Sequence, residues 1–282
     1  MIRSIRFELV KMGCQKKNYI PLVGYLFFII LCYIGFRTSS HSLAKLLDGF
    51  EQNRAEAANY LDGFFFARIV LVPTFIVLMP IVMAALGGDC VAGEMQDGSL
   101  KLYLTRPRSR ARVILTKFCA VYIAGFLYSM LFAAAGLLIG YLLFGLAPAQ
   151  VLLIPGRVFG STVSVMTNHE AFIRYVLASL YFSFSLMTQG VMALFFSTIF
   201  NRMSSAAVAV ITIYFVSYVV AALPFSGLLR PWLISEIMNN AFLFWLNPIP
   251  MGKLITNLST LAIYICFFLL ASIVHFHYKD IR

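Results

Sequence analysis

Six long apolar runs, at about 19–36, 67–86, 118–146, 173–200, 204–223 and 254–276, divide the chain, and charged residues bound them. Between their edges, where Arg68 and Arg174 stand, none contains Asp, Glu, Lys or Arg. A helix needs about 20 predominantly apolar residues to cross a bilayer, so each run predicts one transmembrane helix. The third and fourth runs exceed that minimum and are expected to tilt or to extend beyond the membrane. The stretch 224–250 is also apolar, but four prolines, Arg230 and Glu236 break it. Short helices dipping into the outer interface fit it better than a seventh span, with Trp232 and Trp245 at the depth that tryptophan prefers. Residues 37–66 carry Leu43, Leu46, Leu47 and Phe50 at helical spacing and read as an extracytoplasmic helical loop or a docking surface. Residues 147–172 have no clear period and read as loop.

Composition narrows the class. Of 282 residues, 61% are apolar and 12% charged, and the mean hydropathy is +0.88. A soluble domain carries roughly 25% charged residues, so a soluble enzyme or a nucleic-acid-binding module is excluded as the default. Six spans take roughly 120 residues, which leaves loops but no second catalytic domain of ordinary size. The expected fold class is all-α integral membrane. The net charge of +11 is then a topology signal. With the N-terminus inside, segments 1–18, 87–117, 201–203 and 277–282 hold fourteen Lys and Arg against six in the outer loops. The positive-inside rule places both termini in the cytosol.

The chemistry that is missing is informative. No G-x-x-x-x-G-K-[ST] occurs, so the chain has no phosphate loop of its own, and no H-E-x-x-H occurs. Five cysteines without C-x-x-C signal neither a zinc site nor a disulfide framework. Basic Met1–Asn18 precedes an apolar run too long for a cleaved signal peptide. Spans free of ionisable residues lack a proton relay or a voltage sensor. If the chain moves something uphill, the energy comes from another polypeptide.

The spans do carry packing and hinge chemistry. Pro73 and Pro80 lie seven apart on one face of the second span, and each removes a backbone hydrogen bond, giving a static kink or a flexing point. Ser179, Ser183, Gly190, Ala193 and Ser197 form a small-residue stripe in the fourth span, and Gly136 and Gly140 a G-x-x-x-G in the third. Tyr181, Ser185, Thr188 and Gln189, with Thr212, Tyr214, Ser217 and Tyr218 on the fifth, can line a path or bond between helices.

The longest inside loop, and the one that carries the most charged residues, is 87–117, GGDCVAGEMQDGSLKLYLTRPRSRARVILTK. Asp89, Glu94 and Asp97 extend the second span, and Asp97 is placed to cap a short helix. In that helix Leu100, Tyr103 and Leu104 share one apolar face that calls for a protein groove. Pro107 ends it. Arg108, Arg110, Arg112 and Lys117 then alternate with Val113, Ile114 and Leu115, a pattern suited to anionic headgroups.

Glu94-x-x-x-Gly98-Ser99-Leu100-x-x-x-Leu104-x-x-Pro107-x-x-Arg110, followed by Lys117, resembles the signature of ABC-2-type permeases. These are membrane subunits of ATP-binding-cassette exporters, including a group associated with multicopper-enzyme maturation. The resemblance covers the whole chain, through Leu246-Asn247-Pro248 before the sixth span to Tyr278-Lys279-Asp280. Met95 and Ser99 depart from it, standing where the family often has Arg and Thr. The resemblance implies a dimer with a second copy or a paralogue, two cytosolic ATPase subunits that hold ATP and Mg, and no cofactor on this chain. It implies a coupling helix after Asp97 and a re-entrant outer gate at 224–250. It also implies an N-terminal elbow helix with Ile2, Ile5, Leu9 and Met12 on one face and Arg3, Arg6 and Lys11 away from it, interrupted by Phe7 and Val10. A bacterial cytoplasmic-membrane exporter is the expected function. A non-transport assembly factor transmitting force to an outer partner, or a stand-alone carrier, are the rival readings.

Overall fold

The computed structural model describes residues 2–38, 62–100, 109–146, 150–154, 162–224, 226–246 and 248–279. Most of the outer segment 37–66 therefore lies outside the described residues, as do Tyr103, Leu104, Pro107, Asn247 and Asp280. Six helices are long and apolar enough to cross a membrane: Lys16–Thr38, Gly63–Gln96, Arg110–Phe144, Asn168–Ile199, Met203–Ala222 and Met251–Tyr278. They are called spans 1 to 6. An N-terminal helix α1, Ile2–Cys14, precedes them. The protein is an all-α integral membrane protein, as the apolar runs predict.

Spans 2 and 3 run well past their apolar runs on the terminal side, because an α-helix satisfies its own backbone whatever the side chains are. An apolar run marks membrane depth and not the end of the helix. Caps mark the ends instead. The Asp62 side chain accepts from Phe65 N–H at 3.0 Å at the start of span 2. Thr167 and Glu170 form a reciprocal capping box at the start of span 4.

Span 4 is the central helix. It packs on spans 2, 3, 5 and 6, and 72% of its apolar window is buried, against 17% for spans 1 and 6. Its composition follows from that position. Lipid is as apolar as leucine, so tight helix packing in a bilayer relies on small and hydroxyl-bearing residues. The Ser179 to Ser197 stripe is buried throughout. Ser183 bonds Ser129 of span 3 at 2.6 Å. A Cβ on Gly87 of span 2 would stand 2.5 Å from the Ala193 Cβ and 2.6 Å from the Gly190 carbonyl oxygen, so this crossing admits only glycine.

Span 2 is broken twice by a wide π-helical turn, at Thr74–Leu78 and at Asp89–Gly93. The first lies between Pro73 and Pro80. Pro80 has no N–H for the carbonyl four residues earlier, that of Ile76, and the Tyr214 hydroxyl of span 5 donates to this carbonyl at 2.8 Å. At the second turn the Ser197 hydroxyl donates to Gly88 O at 2.7 Å. Ser197 Oγ itself accepts from Val91 N–H at 3.0 Å and Ala92 N–H at 2.7 Å. A side chain from a neighbouring helix thus closes each break.

On the opposite face, strands β1 (Gln150–Ile154) and β2 (Thr162–Met166) pair antiparallel, with Gln150 opposite Met166. This corrects the loop reading of 147–172. The β-branched residues of T-V-S-V-M are the signal that was missed. The 226–246 segment is a chain of short turns, Arg230–Trp232, helix α2 (Ile234–Asn239) and Asn240–Trp245. Trp232 is exposed, as expected of an interfacial residue, but Trp245 is buried in the core. The Arg174 guanidinium donates to Phe244 O at 3.3 Å and Leu246 O at 2.7 Å, which fastens this segment to span 4.

Ser197→Ala orphans two buried N–H groups and one carbonyl at the second turn. The expected loss is about 1–3 kcal/mol, read as a lower midpoint for thermal unfolding in detergent. An unchanged midpoint would show that the turn closes without the hydroxyl.

Candidate coupling site on the terminal face

Helix α1 turns Ser4, Ile5, Glu8, Leu9 and Met12 toward the bundle and leaves Ile2, Arg3, Arg6, Phe7 and Val10 exposed. Ile5, Leu9 and Met12 face inward and Arg3 and Arg6 outward, as the sequence predicts, while Ile2 and Lys11 depart from the expected elbow face. Ile2 lies outside, and Glu8, in the middle of the inward face, is buried. Phe7 and Val10 belong with Arg3 and Arg6 on an amphipathic outer face suited to the membrane interface. The physical reason that Glu8 turns inward is the partner that it finds within the bundle.

That partner is Lys117, near the start of span 3. Its side chain is 1% exposed, and its ammonium lies 2.6 Å from Glu94 Oε1 and 3.5 Å from Glu8 Oε1. Lys11 of α1 also reaches Glu94 Oε1, at 2.6 Å. One turn back along span 2, Asp89 pairs with Lys17 at 2.6 Å. Two acids and two lysines thus balance in one buried cluster. It ties α1, the end of span 2 and the start of span 3 together. Lys117 therefore does not face anionic headgroups. The distance is too short, and the burial too complete, for a lipid-facing cation.

Beyond Glu94 the chain turns sharply. Asp97 N–H bonds Gly93 O at 3.0 Å, and Gly98 N–H bonds Met95 O at 3.1 Å. Gly98 has φ +70°, a conformation that a side chain would strain. Asp97 is exposed and ends span 2, so Gly98 lies between it and the helical residues Ser99 and Leu100. Leu100 is wholly buried in this chain's own core. It does not present the free docking face expected of it alongside Tyr103 and Leu104. An apolar side chain next to its own core is covered there first.

The described chain resumes at Ser109. The Arg110 guanidinium donates to the carbonyls of Phe276, His277 and Lys279 at 3.2, 2.9 and 2.7 Å. It caps the unsatisfied end of span 6, where a cation also meets the negative pole of the helix. Lys279 repeats the device on span 4. Its ammonium donates to Thr198 O at 2.6 Å, Ile199 O at 3.4 Å and Asn201 Oδ1 at 3.0 Å. Burial holds Lys279 below the ordinary lysine pKa. Span 3 thus clasps span 6, and span 6 clasps span 4.

The remaining candidates are dispersed. Pro80 is buried and Pro73 half-buried, on either side of the first wide turn. Tyr214 is buried and engaged with span 2, whereas Tyr218 is exposed on the outer surface of span 5. Gln189 is buried in span 4. Sequence reasoning missed the roles of Glu8, Lys11, Asp89 and Lys279. One signal was available: Glu8 is the first acid in the chain and the next is Asp48. An isolated acid on the apolar face of a basic helix asks for a buried cation.

Six apolar helices, one of them a central helix rich in small residues, with interhelical ion pairs beneath a charged loop, define a multi-pass membrane protein. The chain belongs to the ABC-2 family of transporter proteins, whose profile matches residues 19–281. Comparison with curated proteins gives no match. The family match identifies an ABC transporter permease in general, a transmembrane subunit and not an enzyme. ABC-2 permeases usually work with ATPase subunits.

Lys117→Met leaves the buried Glu8 and Glu94 carboxylates with only the part-exposed Lys11 as cation. The expected loss is about 3–5 kcal/mol, read from denaturation in detergent, and Lys117→Met with Glu94→Gln and Glu8→Gln recovers a large part of it. A loss under about 1 kcal/mol, typical of an exposed pair, would contradict the buried cluster.

Proposed function

We propose that this chain is the permease subunit of an ABC exporter of a bacterial cytoplasmic membrane, working as a dimer with a second copy or a paralogue. Two separate ATPase subunits supply the energy. The terminal face is cytosolic, as the fourteen-to-six distribution of Lys and Arg supports. Arg3 and Arg6, exposed on α1, meet anionic lipid there.

The observation that carries this reading is the anchorage of the loop between spans 2 and 3. It leaves span 2 just beyond Glu94, which is ion-paired to span 3 and α1, and it rejoins the bundle at Arg110, which is bonded to span 6. Closure of an ATPase pair against this loop displaces both anchors together. The displacement reaches spans 2 and 3 through the acid–lysine cluster, span 6 through Arg110, and span 4 through Lys279. Span 4 in turn carries Arg174, which holds the 226–246 segment on the outer face. In this mechanism that segment is the outer gate, and the two wide turns of span 2 are the hinges. A π-turn inside a helix is a common place for such bending. ATP and Mg act only on the partner ATPase. In this chain the work is done by side chains that transmit displacement.

Tyr103 and Leu104 supply the docking face, since Leu100 is already covered. The full-length chain, purified with its ATPase from native membranes, tests this. Tyr103→Asp with Leu104→Asp is expected to lower co-purified ATP hydrolysis at least about tenfold, the effect of losing an apolar hot spot, without lowering the unfolding midpoint. Undiminished co-purification would refute the docking role.

A further inference from the structure

A second cluster lies inside the bundle, under the 226–246 segment, and the clasp on the terminal face makes no use of it. Tyr181, Ser185, Thr188 and Gln189 are spaced to form one stripe of span 4. All four are buried. The stripe meets helix α2 and the start of span 6. The Tyr181 hydroxyl donates to Ile237 O at 2.7 Å, with Asn257 of span 6 beside it. Gln189 Nε2 donates only to the soft sulfur of Met238, at 3.3 Å, and the Phe244 ring lies 5.8 Å from that of Tyr181.

Two buried polar atoms here, Thr188 Oγ1 and Gln189 Oε1, have no hydrogen-bond partner among the described residues, and Asn257 Nδ2 has only the Tyr181 hydroxyl within reach. On the segment above them, Trp245 Nε1 and Asn239 Oδ1 are also without a partner among the described residues. Leaving such a group unsatisfied in the interior is costly, because the water it gave up is not replaced. A threonine in a helix ordinarily bonds a carbonyl of the preceding turn, as Thr74 and Thr116 do, but Thr188 does not. Buried unsatisfied groups are uncommon in folded proteins, and several on facing elements amount to a recognition surface awaiting its counterpart.

We propose that Thr188, Gln189 and Asn257, walled by Tyr181, Met238 and Phe244, form a binding site for an uncharged amphiphile that both donates and accepts hydrogen bonds. The unpaired atoms are an acceptor and a hydroxyl that can donate or accept, and the Asn257 amide beside them is a further donor. None of the six side chains carries charge at neutral pH, so a charged headgroup would be buried without a counter-ion. Glu236 is half-exposed and two residues from Met238, hence on the other side of α2. The aromatic ring and the thioether suit an apolar tail or a sugar face. The proposal rests on the reading of this chain as a transporter subunit and names the chemical class of its ligand.

The test uses the full chain alone in lipid nanodiscs, so a failure of the ATPase reading leaves its outcome unaffected. Trp232→Phe removes the exposed tryptophan and leaves Trp245, on the segment above the site, as sole reporter. The probes are n-octyl-β-D-glucoside, octyl sulfate and octyltrimethylammonium, compared at equal membrane concentration. The glucoside is expected to change Trp245 emission saturably, and at least about fivefold more tightly than either charged chain. Thr188→Val and Gln189→Leu, made on that background, are each expected to weaken the response about fivefold, the worth of one neutral hydrogen bond. Thr188→Val is also expected to raise the unfolding midpoint by about 2 °C, because an unsatisfied hydroxyl is removed from the interior. A non-saturable response, equal responses to the three probes, or a midpoint lowered by Thr188→Val would each overturn the proposal. The last result would mean that the hydroxyl is a structural bond and not a binding group.

Discussion

A lysine ammonium that is 1% exposed within 3.5 Å of two carboxylates is the interaction on which the terminal face depends. Removing such a charge from water costs several kcal/mol, so Lys117 is tolerable only while both acids stay with it. This requirement fixes three elements at once. Glu94 must end span 2 at this depth, Glu8 must turn inward on α1, and span 3 must begin with its cation facing the bundle. Hydrophobic packing alone would leave α1 free to roll, since its apolar residues lie on both sides of the helix. The ion cluster chooses the face.

A membrane bundle gains little from burying apolar surface, because lipid covers that surface equally well. The polar interior of this chain follows from that. Ser183 on Ser129, Ser197 on the backbone of span 2, Tyr214 on Ile76 and Arg110 on the end of span 6 all join neighbouring helices through hydrogen bonds. Several of these bonds sit where a helix has lost its own, at a proline, a wide turn or a terminus. The same positions allow the helices to shift, because a bond to a neighbour can be exchanged where an intrahelical ladder cannot.

Much of the fold was legible in the sequence. The six spans, the broken 224–250 segment and the packing role of the small-residue stripe follow from hydropathy and residue size, which act locally. The inward place of Glu8 on α1 was not legible, nor was the engagement of Lys117, because both depend on which acid meets which base between separate helices, 109 residues apart for Glu8 and Lys117. Counting Lys117 as a headgroup-facing cation gave the right topology signal while assigning the wrong neighbour. Leu100 illustrates the same limit: its apolar face was evident, but not that this chain would cover it.

Amide hydrogen exchange on the full chain in nanodiscs, compared with Arg110→Gln, most directly tests the claim that the terminal ends of spans 3, 6 and 4 are mechanically joined. The account predicts exchange about tenfold faster, corresponding to about 1.4 kcal/mol of local stability, at residues 274–279 of span 6. A smaller rise is expected at 196–199 of span 4, conveyed by Lys279, with span 1 unaffected. Faster exchange confined to the first turn of span 3 would contradict it.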